Sequence, residues 1–230
     1  MRTQLPALLA GLFLAASAHA ADAPPQAPEP AHVAILTYGQ SEKDKKPMRP
    51  VCFAPGFLTV VDRDSSVRVA RKFDEIALMD PKLFDHPFVI LSGEGAFTLD
   101  DKEKAQLKGY VSKGGFILAS TGCSSAPWAQ SFRKIAEELW GKDALAPLPM
   151  SHLVFHAFYE IEALVPRKPG GVAHVYGIAA PSTKRLSVVF SDLGLNDTDA
   201  AGGGCCCCGA NEVRNAREVN ANLLVHALTH

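Results

Sequence analysis

Cys123 has the setting that most suggests chemistry. It stands in Thr121-Gly122-Cys123-Ser124-Ser125, directly after the apolar run 116–120 and ahead of a helical stretch. A thiol at a strand–turn–helix junction lies against a helix N-terminus, which lowers its pKa, and the backbone N–H groups there can stabilise an oxyanion. His152 and His156 are spaced i, i+4, which on a helix puts both on one face, an arrangement suited to a metal. The apolar neighbours Leu153, Val154, Phe155 and Phe158 equally suit a partly buried segment with hydrogen-bonded histidines. Glu94 leaves the apolar run 88–92, and Asp192 leaves the run 186–191. If those strands are parallel neighbours, the two carboxylates share one mouth for acid–base work or cation binding. Otherwise they cap helices or bond within loops. Arg217 opens the last helix and would clamp a carboxylate in the same mouth or pair with a surface acid.

Four consecutive cysteines, Cys205, Cys206, Cys207 and Cys208, follow three glycines. Thiolates hold soft metals such as Zn(II) and Cu(I). The usual zinc spacing is Cys-x-x-Cys, so two or three of the run, with Cys123 or a histidine, would have to wrap one ion. The oxidised alternative pairs the run with Cys52 and Cys123, and six cysteines allow 15 connectivities. A Gly-rich loop with no special chemistry is the third reading.

The N-terminus bears on that choice. Arg2 precedes an apolar stretch over 5–18, and Ala18-His19-Ala20 is a small-x-small cleavage signal. This predicts a secretory signal peptide over 1–20, cleaved after Ala20, and hence a periplasmic or secreted protein in which disulfides can form. Residues 21–31 are rich in Pro and Ala and read as a polyproline-like tether. One domain would then run from His32 to His230. No later apolar stretch is long enough to span a bilayer. The chain of 230 residues carries 23 basic and 24 acidic side chains. That balance argues against a nucleic-acid partner and leaves a small molecule or an envelope protein as the expected one.

These residues need a scaffold. Short apolar β-rich runs at 32–38, 88–92 and 116–120 read as buried strands, with a further strand within 67–78. Between them lie a helix after Pro55, one capped by Thr98 with Asp101 three residues on, and one over 128–140. Segments 171–180 and 186–191 read as a hairpin, and a helix over about 211–228 closes the chain, with Ala216, Val219, Leu223 and Ala227 as its inner stripe. Alternating strands and helices predict an α/β fold with a mainly parallel sheet covered on both faces. Ligands of such sheets sit at the strands' carboxyl ends, and the loops carrying Glu94, Cys123 and Asp192 all leave strand ends.

The motifs 80–88 (Asp-Pro-Lys-Leu-Phe-Asp-His-Pro-Phe), Gly93-Glu94-Gly95-Ala96-Phe97, Gly114-Gly115-Phe116, Ser131-Phe132-Arg133, 148–152 (Leu-Pro-Met-Ser-His), Ser191-Asp192-Leu193-Gly194 and Asn215-Ala216-Arg217-Glu218 occur in this order. The order resembles the bacterial family called domain of unknown function 4159, over about 32–230. The resemblance implies a class I glutamine amidotransferase-like fold, a flavodoxin-like three-layer sandwich, and no established reaction. In such scaffolds the elbow reads Gly-x-Cys-x-Gly with a His-x-Glu pair elsewhere. Here Gly122 directly precedes Cys123, Ser125 stands where the second glycine would be, and neither His152 nor His156 has Glu two residues on.

Three readings follow. The first is an exported ligand- or protein-binding module on a catalytically degenerate scaffold. The second is a thiol-based Zn or Cu or redox protein using Cys205–Cys208. The third is a hydrolase using Cys123, with His152 or His156 as base and Glu94 or Asp192 as orienting acid.

Overall fold

The computed structural model describes residues 29–50, 53–181, 183–197 and 211–230. The segment 1–20 expected as a signal, most of the expected tether, Cys52 and the run Cys205–Cys208 lie outside the described residues.

The apolar runs form the strands they suggested, because continuous Val, Ile, Leu and Phe suit a sheet buried on both faces. β1 (Ala31–Thr37), β4 (Phe88–Gly93) and β6 (Phe116–Thr121) lie side by side in parallel, and every residue of β4 and β6 is buried. β3 (Val69–Ala77) pairs parallel to the outer side of β1, and β9 (Leu186–Ser191) parallel to β6. β8 (Val175–Ala179) and the two-residue β7 (Ala146–Pro147) extend the β9 edge antiparallel, giving the order β3-β1-β4-β6-β9-β8-β7. A small second sheet pairs β2 (Gln40–Ser41) with β5 (Phe97–Thr98).

Helices cover both faces. α1 (Gly56–Asp64) and α4 (Ala216–Thr229) pack on one side, where Phe57, Leu58, Val219 and Leu223 meet Val33, Ile90 and Leu118. α2 (Asp101–Ser112) and α3 (Ala126–Trp140) pack on the other, where Leu107, Trp128 and Phe132 meet Leu91, Ala119 and Phe190. The five parallel strands, counted in chain order, run 2-1-3-4-5 across the sheet, so the molecule is a three-layer sandwich of flavodoxin-like order.

Several local expectations are corrected. The cap of α2 is Asp100, not Thr98, which lies in β5. Asp100 accepts from Glu103 N at 2.8 Å, and Glu103 Oε2 accepts from Asp100 N at 3.0 Å. A capping box needs a side chain long enough to reach back one turn, which Glu103 supplies and Asp101 does not. The last helix starts at Ala216 rather than 211. His152 and His156 bracket a 3-10 turn (Leu153–Phe155) instead of sharing an α-helical face. His152 Nδ1 accepts from Val154 N at 3.1 Å and caps the short turn at one end, and His156 (φ −128°, ψ 11°) leaves helical geometry at the other.

Candidate functional site

In a 2-1-3-4-5 sheet the chain switches direction between the first and third strands, here β1 and β4, and the crevice beyond their carboxyl ends is the usual ligand position. On the α2/α3 side this protein fills that position with its own side chains. Tyr38 follows β1 and donates its hydroxyl to Ser92 O at 3.1 Å, while Trp128 Nε1 donates to the Tyr38 hydroxyl oxygen at 2.7 Å. Tyr38, Met48 and Trp128 are all buried. Burial drives the Tyr38 phenol pKa far above its ordinary value. A Cβ on Gly93 would lie 2.9 Å from Met48 Cε and 3.0 Å from Trp128 Nε1, so only glycine lets β4 end beneath this plug.

One open part of the edge lies over β6 and β9, and another, of about 590 Å³, lies over the ends of β1 and β3 beside Thr37, Arg49, Phe53 and Glu75. After β6 the chain turns through Gly122, Cys123 and Ser124 into α3. Cys123 (φ 45°, ψ 41°) and Ser124 (φ 47°) are both left-handed, a conformation that L-residues adopt only at a cost and that clusters at functional loops. Ser125 caps α3, accepting from Trp128 N at 3.4 Å, and also accepts from Gly95 N at 2.9 Å, which ties the Glu94 loop to the elbow. A Cβ on Gly122 would lie 3.0 Å from Glu94 Cγ, so Glu94 stands beside the Cys123 turn, exposed. Next to it opens a cleft of about 490 Å³, a volume suited to a small molecule. Pro166, Pro169, Val172 and Leu193 give it apolar walls; Ser124, Arg167, Lys168 and Glu212 supply polar groups. Ser124 Oγ is buried, with no hydrogen-bond partner among the described residues.

The structure separates the other predicted residues. β6 lies between β4 and β9, so Glu94 and Asp192 do not leave neighbouring strands. Asp192 instead takes His174, accepting from its backbone N at 2.9 Å and meeting Nδ1 at 3.1 Å, and its carbonyl accepts from Thr121 Oγ1 at 3.3 Å. Sequence reasoning missed His174, although the β8–β9 hairpin carried the signal. Val175 pairs with Ser191, which sets His174 opposite Asp192. His156 has both ring nitrogens engaged, Nδ1 with Glu160 at 2.6 Å and Nε2 with Met150 O at 2.7 Å. The Glu160 carboxylate raises its pKa. His152 Nδ1 accepts from Val154 N at 3.1 Å, and its ring packs 6.1 Å from His226, near the end of α4. Because His226 is close enough to Arg185, just before β9, for their charges to interact, His152 lies at the edge of the sheet opposite Cys123.

Burial and the neighbouring His230, His152 and Arg185 push the His226 pKa down to about 4. The fold therefore favours neutral His226, and its stabilising contribution is full above about pH 6.5 and lost as pH falls toward 4. A loss of about 1–2 kcal/mol over that window is expected, discounted for the partial exposure of the cluster. Urea unfolding of the native chain and of His226→Leu across pH 4–7 measures it, and the variant should show the flatter profile. The His156–Glu160 pair, whose histidine pKa is raised, stabilises at pH below the ordinary histidine value and fades as pH rises, and on the surface it contributes little.

Arg217 makes the clamp the sequence allowed, on a carboxylate within the chain. Its Nε and Nη2 donate to Asp197 at 3.0 and 2.9 Å, and the Asp197 side chain is fully buried. That carboxylate lies at the N-terminus of α1, where a Cβ on Gly56 would be 2.9 Å from Asp197 Oδ2. Among the described residues no group of three His, Cys, Asp or Glu side chains is placed to hold a metal ion, and no helix is long and apolar enough to cross a membrane.

The strand order, the two covered faces and the cleft at the carboxyl edge define a flavodoxin-like α/β domain. The chain belongs to the family described as Domain of unknown function (DUF4159), whose model matches residues 32–228. A search of curated proteins returns no match.

Proposed function

We propose that this is an exported ligand-binding module on a catalytically degenerate amidotransferase-like scaffold, with its ligand in the cleft beside Ser124. The observation that carries the reading is the contrast along the carboxyl edge: the switch point is plugged by Tyr38, Met48 and Trp128, while the cleft over β6 and β9 is open. Apolar walls with the exposed Lys168 at the rim suit a small amphipathic anion. The absence of catalysis is supported by the histidines, since neither His152 nor His156 turns toward Cys123. Export rests on the segment 1–20.

The test uses 8-anilinonaphthalene-1-sulfonate, an amphipathic anion, titrated into the mature protein by fluorescence. Saturable one-to-one binding is expected, weakened at least about ten-fold in Val172→Glu and in Lys168→Glu and unchanged in Cys123→Ser. Val172 and Lys168 are exposed, so these variants leave the core intact. Binding indifferent to both cleft variants would overturn the reading.

A further inference from the structure

The cavity of about 590 Å³ over β1 and β3 shares no lining residue with the cleft over β6 and β9. Its position follows from the strand register. Ile35 pairs with Glu75 and Thr37 with Ala77, so these side chains share one face of the sheet. Ile35 and Phe73 place that face on the α1/α4 side. The first turn of α1 meets it at Phe73, where the Phe57 and Phe73 rings lie 6.0 Å apart. Phe53, just ahead of the helix, packs edge-on against both rings, at 6.5 Å from Phe57 and 6.1 Å from Phe73. The cavity opens beyond these rings, with Phe53 and Phe73 as apolar wall and Glu75 one strand repeat further on. Arg49 enters from a different segment. Met48 exchanges both backbone hydrogen bonds with Tyr38, at 2.8 and 3.2 Å, which pins the chain at the end of β1. The Met48 side chain goes into the plug, and Arg49, the next residue, lines the cavity. Arg49 and Glu75 are both exposed, and among the described residues neither forms an ion pair, with the other or with any third group.

We propose that this cavity binds a free α-amino acid with an apolar side chain. A guanidinium and a carboxylate that line one cavity without pairing are together complementary to a zwitterion. Arg49 takes the ligand's carboxylate, for which its planar fork is suited, and Glu75 takes the ammonium. The Thr37 hydroxyl, at the end of β1 between them in the lining, supplies a further hydrogen-bonding group. The ligand's side chain packs on Phe53 and Phe73. An apolar molecule would use neither charge and a simple ion only one. The volume lies within the range of small-molecule sites. Because both charged groups meet solvent, each ion pair is screened and affinity is moderate, with Kd of about 10⁻⁵–10⁻³ M. Selectivity comes from the apolar wall, where each buried methylene tightens binding about three- to four-fold.

The test is a calorimetric titration of the protein with L-phenylalanine at low ionic strength. Saturable one-to-one binding is expected, with glycine at least about ten-fold weaker because it leaves the aromatic wall unused. N-acetyl-L-phenylalanine, which lacks the ammonium, and 2-phenylethylamine, which lacks the carboxylate, should each bind at least about ten-fold more weakly than phenylalanine. Arg49→Gln and Glu75→Gln should each weaken phenylalanine binding to a similar extent while leaving the thermal midpoint unchanged, since both side chains are exposed and unpaired. Val172→Glu, in the other cleft, should bind phenylalanine as the native chain does. Four results would overturn the proposal: no saturable binding of phenylalanine, equal binding of either singly charged analogue, indifference to either glutamine variant, or loss of binding in Val172→Glu. The last would put the amino acid in the cleft over β6 and β9.

Discussion

Replacing Trp128 by alanine should lower the unfolding free energy by about 4 kcal/mol, the largest single-residue effect expected in this protein. Trp128 is fully buried. Its ring stacks on Phe132 at 5.6 Å, Phe97 at 5.4 Å and Phe190 at 6.5 Å, so it joins α3 to β5 and β9. Truncation removes these contacts, leaves a cavity the close-packed sheet cannot collapse into, and takes the Nε1–H donor from the buried Tyr38 oxygen. Trp128→Phe separates the two contributions. It keeps most of the stacking and loses the donor, and should cost about 1–2 kcal/mol. Guanidinium unfolding of both variants gives the comparison. Equal losses in the two would mean that the hydrogen bond, rather than the packing, holds the plug.

The second large effect comes from the clamp on Asp197. Arg217→Met should cost about 3 kcal/mol, because it removes two charge-assisted hydrogen bonds from a carboxylate with no exposed surface. The N-terminus of α1 continues to favour that charge, which keeps the loss below the upper end for buried pairs. Asp197→Asn in the Arg217→Met background should recover much of the loss, since no buried charge then remains. The double-mutant cycle should show about 1–3 kcal/mol of coupling. Strict additivity would show that the two side chains stabilise the fold independently.

Much of this architecture is legible in the chain. The runs beginning at Phe88 and Phe116 are too short and too uniformly apolar for exposed helices, and both became central strands. Pro55 and the Gly114-Gly115 pair marked helix boundaries correctly. What was not legible depends on strand order. The buried partner of Arg217 lies twenty residues earlier in the chain, and only the folded loop after β9 brings Asp197 to it. Glu94 and Asp192 each sit at a strand end as expected, yet nothing in their spacing reveals that β6 comes between them. The i, i+4 spacing of His152 and His156 implies a shared face only on an α-helix, and the segment forms a 3-10 turn. Cys123 stands at the strand–helix elbow, as its position after an apolar run implies. The plug at the switch point joins Tyr38, Met48 and Trp128 from three separate segments, and no local pattern announces it.

The proposed function requires that ligand bind over β6 and β9 and not at the plugged switch point. Backbone amide NMR of the protein, followed through the anilinonaphthalenesulfonate titration, tests it residue by residue. Saturating shifts are expected at Ser124, Lys168, Val172 and Leu193, with Tyr38, Met48 and Gly93 unmoved. Shifts centred on Tyr38, Met48 and Gly93, with the cleft residues silent, would contradict it.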